Sequence, residues 1–355
     1  MVHAVTVGID GSPESLVAAR WAADAAVRRA VPLRLLRVWD PDDPRTRPAP
    51  PETARRWGER MLTTTGRRIR RHHPALPVDT AWVRGQPVEA LCGAAAAGDL
   101  LVLGSRGLSG PRGFLTGSVS LAVLAHTRCP TVLVRPRATV AGGDRGPSGD
   151  IVVGVDLSGP CDDTLRFAFR AAAEYGCGVR VVHSWAAPAG YGPDPDGAPD
   201  PEPAAPREAE ESERLQEAEE PEEPEDGKGP AGHEEPTDPR QFEDHAGHAG
   251  HAEFAEFAEF AEFAEFAEFA EFAERRRDAL DRVLRGWTER FPGIPVTVRC
   301  RPGRPAWDLA EASRGARLVV VGRRNRQARL GPQLGAVTHG LIHHSRSPVA
   351  VVPHD

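Results

Sequence analysis

A run of glycines between residues 104 and 117 carries the clearest chemical signal in this sequence. An apolar strand precedes the run, and serines open an apolar helix directly after it. Glycine lets backbone N–H groups approach a phosphate closely, and a helix N-terminus adds unpaired donors with a partial positive charge. Arg106 and Arg112 add cationic donors within the same loop. The loop therefore predicts an anion-binding site, and its glycines are Gly104, Gly107, Gly110, Gly113 and Gly117.

The spacing of these glycines excludes two common phosphate loops. Gly104 is followed by two residues and Gly107, then by nine residues and Gly117. A dinucleotide-binding loop has the spacing G-x-G-x-x-G, and a P-loop ends in Gly-Lys-Ser or Gly-Lys-Thr, neither of which occurs in this stretch. The alternative interpretation is a glycine-rich connection that only turns the chain.

No catalytic pattern accompanies this loop. The sequence lacks a GxSxG nucleophile elbow, an HExxH zinc motif and any Ser, His and Asp set that spacing places together. Three histidines spaced three residues apart would suit a soft divalent metal on a helix, but glycines between them disfavour that helix, so no metal site is predicted. They are His245, His248 and His251. An excess of arginine suggests nucleic acid as a rival partner, yet no reading element or aromatic platform supports it.

The elements that must position these residues alternate along the first 134 residues. The predicted strands are Val5–Asp10, Leu33–Val38, Val78–Val83, Leu100–Leu103 and Thr131–Val134, and the predicted helices cover about 13–30, 53–71, 87–97 and 121–125. This alternation predicts βαβ units with right-handed crossovers and a parallel sheet. Ligands of such sheets bind at the carboxyl ends of the strands, where Asp10, Val38 and Gly104 fall.

The same pattern starts again after residue 149. Gly8, Asp10 and Trp39 recur 146 residues later, as Gly154, Asp156 and Trp185. Six further residues recur 218 residues later: Gly85, Pro87, Gly104, Gly117, His126 and Pro130. The two constant offsets predict a tandem duplication of doubly wound α/β domains, each with a five-stranded parallel sheet flanked by helices. The predicted domains are 1–136 and 150–355, joined by a linker at 137–149, with an insert at 186–273 in the second domain.

The insert has two parts of different composition. Residues 186–250 are rich in Pro, Glu, Gly and Asp and have too few apolar residues for a core, so disorder is expected. Seven Ala-Glu-Phe triplets follow, at residues 252–272. Because a helix turns about 100° per residue, a phenylalanine every third residue winds around the helix instead of forming one face. The segment is predicted to extend the next helix, and arises either from repeat slippage in the gene or from a role in binding partners.

Charge is divided unevenly along the 355 residues, whose formal net charge is −7. Residues 186–274 hold 28 acidic and 4 basic residues, so the rest carries 40 basic against 23 acidic residues. No secretory signal is visible at the start, and no apolar run is long enough to cross a bilayer, so no membrane partner is expected. Five scattered cysteines without CxxC spacing fit a reducing cytoplasm.

These motifs together resemble the universal stress protein family. The matching segments are Val7–Ser12, Arg84–Pro87 and the spacing from Gly104 to Ser118, and with the second copy they cover nearly everything except the linker and the insert. The resemblance implies a five-stranded parallel sheet flanked by helices, and ATP binding in the branch that carries this glycine spacing. It also implies dimerisation, which tandem members often achieve by pairing two domains within one chain.

Carried over to this sequence, the resemblance implies a site in the first copy for ATP or a related adenine nucleotide, with or without Mg²⁺. Asp10 and Val38 would lie beside the adenosine, and Gly104, Arg106 and Gly107 would hold the phosphates. The full set implied is Gly8, Asp10, Val38, Gly104, Arg106, Gly107, Gly117, Ser118, Val119 and Ser120. For Asp10 the alternative is a carboxylate that only stabilises the start of the first helix.

The second copy departs from the pattern at the phosphate loop. Asn325 stands at the place of Gly107 and Ala336 at that of Ser118, so the loop gains bulk and loses a hydroxyl donor. Its arginines, at positions 323, 324, 326 and 329, are still expected to attract anions. The function expected is a cytoplasmic stress-response protein that binds ATP as a regulatory ligand, at most a weak ATPase, with a homodimer also considered. The alternatives are an enzyme of ATP hydrolysis or adenylyl transfer and a non-binding dimerisation module.

Overall fold

The computed structural model describes residues 3–42, 50–96, 98–105, 118–136, 149–186, 250–325 and 334–354, of which 118 and 250–268 are described by their backbone alone. Arg106, Gly107, Gly117, residues 137–148 of the linker and residues 187–249 of the insert lie outside these ranges. The chain forms two compact units, residues 1–192 with 270–355 and residues 193–269. The first unit contains every strand given below.

Ten strands of the described chain form one sheet. Most are apolar on both faces, as expected for parallel strands covered by helices on both sides. They are β1 Val5–Gly8, β2 Leu33–Trp39, β3 Val78–Arg84, β4 Leu100–Gly104, β5 Thr131–Val134, β6 Ile151–Gly154, β7 Val179–Trp185, β8 Val296–Pro302, β9 Leu318–Arg324 and β10 Val349–His354.

Eight helices are assigned within the described residues. They are α1 Pro13–Arg29, α2 Pro51–His72, α3 Pro87–Ala96, α4 Ser118–His126, α5 Asp162–Tyr175, α6 Gly250–Arg290, α7 Pro305–Ala312 and α8 Ala336–His344. Proline lies in the first turn of α1, α2 and α7, where its missing N–H removes no helical hydrogen bond. Helix α6 contains the Ala-Glu-Phe triplets, which confirms that they extend the following helix.

The order of strands in the sheet is β3-β2-β1-β4-β5-β10-β9-β6-β7-β8. Within each half the five strands are parallel and follow the order third, second, first, fourth, fifth. The predicted α/β fold is confirmed. The order reverses between β1 and β4, and between β6 and β9, and such a switch point opens a crevice at the carboxyl ends of the strands.

The two halves are joined edge to edge. Strands β5 and β10 pair antiparallel, with Leu133 opposite Val349 and Thr131 opposite Val351. The sequence predicts two sheets, and the structure adds that they merge, because the last strand of each half offers its outer edge to the other.

Apolar layers cover both faces of this sheet. One layer contains buried residues of α1, α2, α5 and the end of α6, such as Ala22, Leu62 and Phe169. The other contains residues of α3, α4, α7 and α8, such as Leu124 and Leu341. The strands are therefore fixed from both sides, and their carboxyl ends form a rigid edge for a site.

Candidate functional site

The turn that joins β1 to α1 is held by the side chain of Asp10. Its Oδ1 accepts hydrogen bonds from the N–H of Ser12, at 2.9 Å, and from the hydroxyl of Ser12. The Ser12 oxygen accepts in turn from the N–H of Ser15, at 3.1 Å, and caps α1. Strand β1 ends at Gly8 and not at Asp10 as predicted, because this turn, with Gly11 at φ +90°, takes the chain out of the sheet.

The same hydrogen bonds keep the Asp10 carboxyl ionised. Burial raises its pKa, but the hydrogen bonds from Ser12 and Ser15 and the charge of Arg37 outweigh this effect, so the pKa lies below its ordinary value. The role at the helix start is therefore present. The residue as a whole is exposed, so the charge also faces the edge of the sheet.

Gly104 ends β4 at the point where the strand contacts the start of α1. A Cβ atom at Gly104 would lie 2.6 Å from the carbonyl carbon of Glu14 and 2.7 Å from the nitrogen of Ser15. The hydroxyl of Ser120 donates to the Gly104 carbonyl oxygen at 3.3 Å, which ties α4 to the end of β4. Packing against α1 therefore requires a glycine here, whatever the following loop binds.

The other described members of the predicted set lie around this edge. Val38 is the penultimate residue of β2, and Val119 lies in the first turn of α4; both pack against the second apolar layer. Ser118 begins α4. A Cβ atom at Gly8 would lie 2.9 Å from Cδ2 of Leu103, so this glycine is required by the core. Arg106, Gly107 and Gly117 belong to the range that the structure does not describe.

The second half has a cavity of about 610 Å³ at the equivalent edge. Its wall comes from the ends of β6, β7, β9 and β10 and the starts of α7 and α8. The polar residues of the wall include Asp156, Ser158, Thr164, His183, Arg324 and Thr338. A volume of this size suits a small organic ligand.

Arg324 lies across the wall of this cavity. Its Nη2 donates to the hydroxyl oxygen of Ser158 at 2.7 Å and lies 3.5 Å from Oδ2 of Asp156. By the two offsets these residues correspond to Arg106, Ser12 and Asp10 of the first half. In the second half, therefore, the arginine that follows the fourth strand reaches the carboxylate that follows the first strand.

His183 is a cavity residue that sequence reasoning missed. Its Nδ1 lies 2.9 Å from the Val155 carbonyl oxygen, and Nε2 has no partner among the described residues. The equivalent residue is Arg37, whose Nη1 donates to the carbonyl oxygen of Ile9 at 3.3 Å. The offset of 146 relates both pairs and could have revealed this exchange.

Arg323 is not an anion ligand, which corrects one expectation from the sequence. It is 6% exposed, and its guanidinium donates to the carbonyl oxygens of Ala125, at 3.0 Å, and Thr127 at the end of α4. Arg135 makes the reciprocal contacts, donating to the carbonyl oxygens of His343 and Ser345 at the end of α8. Each half therefore supplies an arginine that satisfies the last carbonyls of a helix in the other.

Two histidines predict how stability depends on pH. Burial lowers the pKa of His183, and Arg276 lowers it further against the opposing effects of the Val155 carbonyl and Asp156. Burial, then His339, Arg135 and His344, lower that of His343. The unfolded chain binds these protons near an ordinary pKa of about 6.5, so the stability is complete above that pH and declines as the pH falls below it.

Urea unfolding between pH 5.5 and 7.5 measures this effect. His183→Gln should make the free energy of unfolding less steep against pH, whereas His126→Gln, at an exposed residue, should leave the slope as it is. Equal slopes for the wild type and the His183 variant would contradict the prediction.

Comparison with known proteins places the chain in a family. The model of the universal stress protein family matches residues 1–135, 148–241 and 249–353. The chain belongs to the universal stress protein family. A universal stress protein of Mycobacterium tuberculosis is 26% identical over 98% of this chain and 96% of its own length. It and its mycobacterial counterparts match across both halves.

Solved structures of universal stress proteins show the same fold. One from Archaeoglobus fulgidus is 17% identical, covers 99% of this chain and 98% of its own, and superposes with a TM-score of 0.58. A shorter universal stress protein, solved in complex with cAMP, is 29% identical and covers 38% of this chain and 97% of its own, with a TM-score of 0.31.

Two further findings concern the described residues of this universal stress protein. None of their helices is long and apolar enough to cross a membrane. Within the same residues, no three His, Cys, Asp or Glu side chains are grouped so as to hold a metal ion.

Proposed function

We propose that this universal stress protein binds ATP, or a related adenine nucleotide, as a regulatory ligand in its first half. The observation that carries the proposal is the convergence of Asp10, Gly104 and Ser120 at one edge of the sheet, where the glycine-spaced loop begins. A carboxylate suits the ribose hydroxyls, and the backbone N–H groups of a glycine loop and a helix start suit phosphate oxygens.

The second half supports this arrangement. Its cavity lies at the equivalent edge, and Arg324 there reaches both Asp156 and Ser158. By analogy, Arg106 would lie beside Asp10 and Ser12 and supply a cationic donor for the phosphates.

The remaining residues of the proposed site follow the family pattern. Gly107 and Gly117 would bring bare backbone to the phosphates, the N-terminus of α4 at Ser118 and Val119 would add N–H donors, and the Val38 backbone would face the adenine. Mg²⁺, when bound, would be held chiefly by the phosphates and by water.

Calorimetric titration of the full chain with ATP tests the proposal. One nucleotide per chain is expected, and Arg106→Gln should weaken binding about tenfold or more, because a hydrogen bond between charged groups is lost. Arg324→Gln is the matched control in the second half and should change the affinity little. No binding at millimolar ATP, or equal effects of the two variants, would overturn the proposal.

Two rival functions are separated by related measurements. An enzyme of ATP hydrolysis or adenylyl transfer would turn over with Mg²⁺ at about 1 per second or faster, whereas a regulatory site would release phosphate far more slowly. A dimerisation module that binds no nucleotide gains support from the second half, where Asn325 and Ala336 replace the glycine and the serine. Mass spectrometry of copurified nucleotide would identify the ligand directly. The proposed setting is the cytoplasmic stress response.

A further inference from the structure

An open groove of about 950 Å³ lies between α1 and α2, on the face of the sheet opposite to α3 and α4. Its floor and walls are largely apolar, with Val17, Ala23, Met61 and Ile69 among the lining residues. At one end Trp57 is 55% exposed and Leu16 is 41% exposed. The groove is separate from the edge of the strands, where the nucleotide is proposed.

The second half shows what fills the same space. There the groove between α5 and α6 is closed by a stack of aromatic rings, in which Phe169 lies 5.8 Å from Trp287 and 5.4 Å from Phe291. By the two offsets these three rings stand at the positions of Ala23, Ile69 and His73. The first half therefore keeps the helices but lacks the rings, and an apolar volume is left for another molecule.

The rim of the groove is basic. Arg20 on α1 and Arg60 and Arg68 on α2 line it, and in the part of the chain that the structure describes none of them is ion-paired with an acid. The one lining acid, Asp24, is already paired with His73 at 2.9 Å. An apolar floor beneath unpaired arginines favours a ligand with an apolar body and an anionic end.

The size of the groove distinguishes two such ligands. Pockets for small organic molecules measure roughly 300–1,000 Å³, and this groove is within that range. A helix about 10 Å across and as long as α1 would occupy roughly 1,500 Å³ or more, so an acidic helical peptide fits less well. We propose that the groove between α1 and α2 binds one free long-chain carboxylate, with its hydrocarbon chain along Ala23 and Ile69 and its carboxylate at the arginines.

Titration of the full chain with oleate, below its micellar concentration, tests this second site. We expect one oleate per chain and an affinity at least about tenfold greater than for oleyl alcohol, because only oleate has the charge that the arginines recognise. Ala23→Phe, which copies Phe169, should weaken oleate binding at least about tenfold. Arg20→Gln should reduce the preference for oleate over the alcohol.

Controls keep the outcome interpretable. Arg166→Gln changes the counterpart of Arg20 in the second half, which is paired with Asp163 at 2.7 Å, and should leave oleate binding unchanged. Because Ala23→Phe can overpack the core, Leu16→Asp provides a second test at an exposed position and should also weaken binding. Oleate binding that survives both variants would overturn the proposal. So would binding of anionic vesicles or an acidic helical peptide without binding of oleate.

Discussion

Replacing Gly117 with alanine is expected to abolish ATP binding, with an affinity loss of about a hundredfold or more. The methyl group would stand where the proposed site needs bare backbone against a phosphate, and even one hydrogen bond lost to a charged group costs about 1.5–3 kcal/mol. Calorimetry with ATP on the purified variant measures the effect.

The counterpart in the second half supplies the matched control. Gly335 caps α8 at φ −63°, and a Cβ atom there meets nothing within 4 Å in the described chain, so alanine fits without strain. Gly335→Ala should therefore leave both the affinity and the one-to-one stoichiometry unchanged. Two equivalent sites per chain, or normal binding by the Gly117→Ala protein, would mean that the second half is the functional one.

The largest effect on stability is expected from Phe169→Ala. Phe169 is fully buried and lies against both Trp287 and Phe291. Removing a buried phenylalanine ring leaves a cavity and costs about 3–5 kcal/mol, a large fraction of the stability of an ordinary domain. Urea unfolding followed by far-UV circular dichroism measures the loss.

Phe272→Ala is the matched control on α6. Phe272 is 38% exposed and lies edge-on to Trp185, at 6.1 Å between ring centroids. Its removal should cost about 1 kcal/mol or less, because little apolar surface is uncovered. Similar losses for the two variants would show that the aromatic stack does not close the groove as described.

Local patterns in the sequence were sufficient to predict the elements of this fold. The period of apolar residues, the proline and serine before α1 and the glycine after β4 predict strands and helices, because each signal acts over a few neighbouring residues. Asp10, Gly104 and Ser120 were placed on one edge because the carboxyl ends of parallel strands meet there.

Contacts between distant segments could not be predicted in this way. Arg323 follows a glycine at the end of a strand, so the sequence favours an anion ligand, but its partners are carbonyls of Ala125 and Thr127 nearly 200 residues earlier. His183 belongs to no motif, and its position is informative only beside that of Arg37. The pairing of β5 with β10 joins two edges whose local sequences do not specify a partner.

That pairing has a consequence for synthesis of the chain on the ribosome. Leu133 pairs with Val349, so the partner of β5 is among the last segments to be made. At about 5–20 residues per second, the first half waits roughly 10–40 s with one strand edge uncovered. An uncovered edge is a template for pairing with other chains, and a short edge strand limits this hazard. With four residues, β5 is as short as any strand in the described sheet, which protects the nascent protein until its own last strand arrives.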